Sequence, residues 1–124
     1  LINEGNLCFT LQALPDIGQV SALQHAVMMD LNEDGQPELI TSGNFYPTES
    51  QTPRLDASVG QVYEVIHGNL DPIPMPQSGL FIPGDVRKMA VVRTAEAPLL
   101  VIANNDGPLQ VFRIPASQMS SQKP

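Results

Sequence analysis

Twelve prolines and nine glycines punctuate these 124 residues. Between them, apolar residues recur in short runs with a period of two, and no sustained 3.6-residue period appears. Side chains two apart share one face of a strand, so the pattern predicts half-buried β-strands and no long helix. Strands are expected at residues 7–13, 23–29, 38–43, 60–66, 86–93, 99–103 and 109–114. A weaker one near 73–76 is confined by its prolines to a sheet edge, because proline cannot donate to a ladder. Turn chemistry separates the runs at Pro15-Asp16, after Asp30, at His67-Gly68-Asn69, at Pro83-Gly84 and at Asn105-Asp106-Gly107-Pro108. Regularly spaced short strands with such turns indicate an all-β architecture.

Thirteen acidic and six basic residues give a formal net charge of -7. Nucleic acids and anionic membrane surfaces recruit clustered Lys and Arg, so neither is an expected partner. No apolar stretch approaches the roughly 20 residues of a membrane span. The single cysteine, Cys8, excludes a disulfide within the chain, and between Leu7 and Phe9 it reads as a small buried hydrophobe. The chain begins with Leu1 and shows no signal peptide, so it reads as a processed or excised piece of something longer. Residues 116–124 are rich in Ser and Gln and are expected to form a disordered polar tail after a folded region at 1–115.

The run Asp30-Leu31-Asn32-Glu33-Asp34-Gly35-Gln36-Pro37-Glu38 puts oxygen-bearing side chains at positions 1, 3, 5 and 9, with glycine at 6. Calcium takes six to eight oxygen ligands at roughly 2.3–2.6 Å, and a short loop supplies most of them when alternate side chains turn inward. Gly35 suits the sharp bend, and Gln36 can offer its main-chain carbonyl. An EF-hand would need a bidentate Glu at position 12, where this chain has Thr41, and helices on both sides. An ordinary metal-free Asn/Asp/Gly turn is the competing reading.

Internal echoes accompany the loop. Gly5-Asn6-Leu7 reappears as Gly68-Asn69-Leu70, and Gly18-Gln19-Val20 as Gly84-Asp85-Val86. The stretch from Glu38 to Asn44 is matched by that from Pro98 to Asn105, giving a period of about 60 residues, as in repeat arrays. The second copy lacks the alternating carboxylates around Thr94, so one metal site is expected, not two.

The acidic loop, followed by Leu39-Ile40, resembles the D-x-N-x-D-G-x-x-D-hydrophobic signature of FG-GAP/VCBS repeats, the integrin α-like β-propeller repeats. The resemblance spans roughly 23–114, and the loop is its specific part. It implies calcium bound by the side chains of Asp30, Asn32 and Asp34, by the main-chain carbonyl of Gln36 and by the carboxylate of Glu38. Glu38 departs from the usual Asp, which shifts the carboxylate by one methylene. The resemblance also implies four-stranded blades, one at 23–29, 38–43, 60–66 and 70–76, and one at 86–93, 99–103 and 109–114 without its outer strand. Residues 7–13 would be the outer strand of a preceding blade. Two blade equivalents cannot close a ring of four to eight blades. Either further blades exist, or copies self-associate through exposed strand edges, with 7–13 pairing the edge at 109–114.

The remaining residues offer little chemistry. His25 and His67 have no indicated nucleophile or carboxylate partner, and no phosphate loop, nucleophile elbow or HExxH motif occurs. The long connection at 44–58 reads as a loop that packs Phe45 and Tyr46, with Arg54 and Asp56 satisfying each other; a ligand-contact surface is the alternative. Met28, Met29, Met75 and Met89 read as core filler. The expectation is a non-enzymatic, calcium-stabilised β-propeller repeat module, an extracellular or cell-envelope scaffold for a protein or glycan ligand. The alternatives are a glycan-binding module of a secreted polysaccharide-processing protein, a fragment of a larger enzyme, and a closed β-sandwich or barrel carrying a calcium loop.

Overall fold

A computed structural model describes residues 1–114; the tail expected at 116–124 lies outside the described residues. The chain is all-β, with three antiparallel sheets, none of them closed. Strands β1 (Ile2–Gly5) and β2 (Cys8–Thr10) form a hairpin. A four-stranded meander follows, in the order β3 (Leu23–Met29), β4 (Glu38–Gly43), β5 (Gln61–Ile66), β6 (Asn69–Ile73). A three-stranded meander, β7 (Val86–Val92), β8 (Leu99–Asn104), β9 (Gln110–Arg113), completes the fold.

Period-two alternation decides which side chains go inside. Val27, Ile40, Val62 and Ile73 pair in register and form one row across all four strands of the larger sheet. Met89, Leu100 and Ile102 of the smaller sheet join them in a single core, with β3 lying against β7. Leu80 and Ile82, from the connection between the sheets, fill the same core. Full burial of each such side chain contributes about 1.5–3 kcal/mol. On the opposite face of the larger sheet, Tyr63 is buried, and Gly18 of a 3-10 turn (Asp16–Gln19) abuts its hydroxyl so closely that a Cβ would collide with it.

Local chemistry sets the turns. His67 and Gly68 both have positive φ, the two-residue geometry that matches the twist of a hairpin, and they join β5 to β6. Asn6 and Leu7 do the same between β1 and β2.

Four expectations need correction. The strand near 7–13 is only Cys8–Thr10, and it pairs with β1 rather than with another sheet. Cys8 is exposed, as are its strand neighbours Phe9 and Thr10. The outer strand starts directly after Gly68 and ends at Ile73; Met75–Ser78 forms one helical turn where a strand is expected. Pro72 is tolerated in β6 because that strand is a sheet edge. Met29 and Met89 are core residues, but Met28 and Met75 are exposed.

Candidate metal centre

The acidic loop closes the β3–β4 hairpin. Met29 pairs with Glu38, so the loop begins and ends at the last register pair of the ladder. Buried Met29 and Leu31 flank Asp30 and hold its main chain against the core. Glu33 (φ 59) and Gly35 (φ 85) adopt left-handed conformations that turn the chain back.

Four of the five expected ligand residues accept hydrogen bonds from main-chain N–H groups inside the loop, and the fifth, Gln36, supplies one of those N–H groups. Asp30 Oδ2 accepts from Gly35 N at 3.0 Å, Asn32 Oδ1 from Asp34 N at 2.9 Å, and Asp34 Oδ1 from Gln36 N at 2.8 Å. Asn32 Nδ2 also donates to Asp34 Oδ2 at 3.1 Å. Glu38 Oε2 accepts from Leu31 N at 2.7 Å. In this arrangement no three His, Cys, Asp or Glu side chains among the described residues converge into a ready-made cluster. A site here has to draw on the Asn32 amide oxygen and a main-chain carbonyl as well.

Two observations bear on whether a cation fits. Asp30 Oδ1 is buried and has no hydrogen-bond partner. A buried carboxylate oxygen without a donor is costly unless something positive meets it. Glu38 is only 2% exposed. Burial, offset in part by the Leu31 N–H and further aided by the charges of Asp34 and Asp30, holds its carboxyl above the ordinary value of 4.5. The donor set is all oxygen, as a hard cation requires. Asp30, Asn32, Asp34 and Glu38 would hold it by side chain and Gln36 by its carbonyl.

The sign of the pH effect follows. Glu38 binds its proton more tightly folded than unfolded, so its ionisation opposes folding. Without added metal, stability is expected to rise as pH falls from neutral through the raised pKa, with the gain complete below 4.5. Glu38→Gln keeps an acceptor for Leu31 N and removes the charge. It is expected to melt higher than the wild type in EDTA at pH 7, with the gap closing on acidification. Melts across pH check this, and a gap independent of pH would sink it.

The connection at 44–58 closes on itself through Phe45 and Leu55, which exchange main-chain bonds of 2.8 and 2.9 Å. Arg54 pairs with Asp56 at 2.6 Å and lies over the Tyr46 ring. Asn44 is the residue that sequence reasoning passes over. Its Nδ2 donates to the carbonyls of Ser58 (2.8 Å), Pro83 (2.9 Å) and Gly84 (3.2 Å), and its Oδ1 accepts from Ser58 N and Ser21 Oγ. Tyr46 donates to Pro83 O as well. In the second sheet Asn105 bonds Asp85 by main chain and side chain, and Asp85 pairs with Arg87. The one available sequence signal is an Asn just after each of the two matched strands.

The β7–β8 connection is a short turn in which Thr94 Oγ1 bonds both ends of Ala97. No helix among the described residues is long and apolar enough to cross a membrane. In comparisons with known proteins, the chain matches no family model, no curated protein and no solved structure.

Proposed function

We propose that this chain is a non-enzymatic, calcium-binding β-propeller-type repeat module of the FG-GAP/VCBS kind, serving as an extracellular or cell-envelope scaffold for a protein or glycan ligand. One observation carries the metal reading: a buried, unpartnered Asp30 oxygen stands in an all-oxygen loop beside the buried Glu38. Bound calcium would neutralise Asp30, Asp34 and Glu38 at one tight turn. That would lock the register of β3 and β4, whose ladder feeds the core. The two meanders, with strands neighbouring in chain order, support the blade reading.

Millimolar calcium is expected to raise the melting midpoint over that in EDTA. A hundredfold excess over Kd is worth about 2.7 kcal/mol, or roughly 10 °C for a domain of this size. Asp30→Ala/Asp34→Ala is expected to abolish the shift. If the wild type melts identically in calcium and EDTA, the loop is an ordinary turn and the calcium reading fails.

A further inference from the structure

Two Asp-Gly steps occur in this chain, Asp34-Gly35 and Asp106-Gly107, and all four residues are exposed. Every other Asp precedes Leu, Ile, Ala, Pro or Val. An Asp carboxyl carbon lies within reach of the main-chain nitrogen of the next residue, and a bond between them closes a five-membered ring. A side chain on that next residue crowds the approach, and proline brings no N–H. Glycine has no Cβ to stand in the way.

Exposure does not separate the two steps, but hydrogen bonding does. In the acidic loop both reacting groups are held. Asp34 Oδ1 accepts from Gln36 N at 2.8 Å, and Oδ2 from Asn32 Nδ2 at 3.1 Å. The Gly35 N–H, which would have to attack, donates to Asp30 Oδ2 at 3.0 Å. Ring closure there has to give up these bonds. In the β8–β9 turn the bonds pass around Asp106. Asn104 Nδ2 donates to Pro108 O at 3.0 Å, and Asn105 Nδ2 to Asp85 Oδ2 at 3.1 Å. Among the described residues the Asp106 carboxylate has no hydrogen-bond or ion-pair partner, and no side chain accepts from the Gly107 N–H. Asp106 sits at φ 49, a turn conformation that Asp tolerates.

We infer that Asp106-Gly107 is a site of spontaneous isoaspartate formation in the folded protein, and that its loop protects Asp34-Gly35 from the same change. Gly107 N attacks Cγ of the protonated Asp106 carboxyl. The N–Cγ bond forms and the Cγ–OH bond breaks, and the hydroxyl leaves with the amide proton as water. One water then adds back to the cyclic imide. Opening the N–Cγ bond restores Asp106. Opening the bond from Gly107 N to the Asp106 main-chain carbonyl carbon leaves an isoaspartyl link, with no net change of mass and nothing oxidised or reduced. Holding both groups in one turn supplies the proximity that the step needs. The main chain into β9 then runs through the former side chain and gains one methylene. No cation takes part, so the site stands whether or not the acidic loop binds calcium.

Ageing the full chain in EDTA at neutral pH, with and without urea, tests this. Isoaspartate is counted by labelling with an isoaspartyl methyltransferase and S-adenosylmethionine. Peptide mapping with electron-transfer fragmentation then places it. In the folded protein the isomer is expected to build up at Asp106 at least about tenfold faster than at Asp34, since one retained bond to a charged group is worth that factor in rate. In urea the two steps are expected to react alike. Asp106→Glu, which would need a six-membered ring, is expected to lose the label. Equal rates at the two steps in the folded protein overturn the proposal. So does an Asp34 that stays slow in urea, or a label undiminished in Asp106→Glu.

Discussion

Asn44→Leu is expected to lower the melting midpoint by roughly 15–20 °C. Asn44 is fully buried, and its amide ties the end of β4 to Ser58 on one side and to Pro83 and Gly84 on the other. Leucine leaves those carbonyls and the Ser58 N–H without their partner. A buried group left unsatisfied costs about 1–3 kcal/mol, so a loss of about 4–5 kcal/mol is expected, a large share of the roughly 5–15 kcal/mol that holds a domain folded. Asn44 also sits at φ 73, which asparagine tolerates better than leucine. Asn44→Gly separates the two effects. It removes the bonds, relieves the backbone, and is expected to melt above Asn44→Leu yet well below the wild type. A wild-type midpoint for Asn44→Leu would show that the amide is not the clamp between the sheets.

Gly43→Ala is the second large effect. A Cβ at Gly43 would overlap the main-chain carbonyl of Ala22 and press on Leu23 Cα, at the irregularity of the β3–β4 ladder. The obstacle is backbone, so no side chain can swing aside. Ala22 O also accepts from Asn44 N at 2.8 Å, and moving it breaks that bond too. A cost of about 3–4 kcal/mol is expected, within the range seen for overpacking coupled to a broken bond. Gly35→Ala makes the contrast. Its φ of 85 disfavours alanine, but a Cβ there meets nothing within 4 Å, so strain alone applies, about 1 kcal/mol. Urea melts of the two variants read the difference, and equal costs would mean that the close approach at Gly43 relaxes freely.

The two inner hairpins were legible because their evidence is local. Residues 23–29 and 38–43 are short apolar-rich runs of strand length, and the Asp/Asn/Gly run between them is turn chemistry whether or not a cation binds. The outer strand was not. Pro72 breaks the propensity of residues 69–73, and only the sheet's edge position excuses a missing donor. Nor was β1 legible, since Ile2-Asn3-Glu4-Gly5 has one large apolar side chain and no alternation to detect. Within the loop, alternation named the oxygen-bearing side chains. It gave no sign that Glu38 is buried, which follows from its register with Met29.

The amino-acid sequence by itself determined the all-β class, the bounds of most inner strands and the place of the acidic loop. These depend on spacing within a few residues, and a two-residue period or a glycine bend acts there directly. Tertiary structure alone decided which face of each sheet is covered. Met28 and Met29 are neighbours of one chemistry, and one is exposed while the other is core, because the second sheet packs on one side only. It also decided the clamp at Asn44, whose partners Pro83 and Gly84 lie some forty residues further along the chain. Side-chain burial and amide satisfaction depend on what arrives from elsewhere in the chain, and no local pattern carries that information.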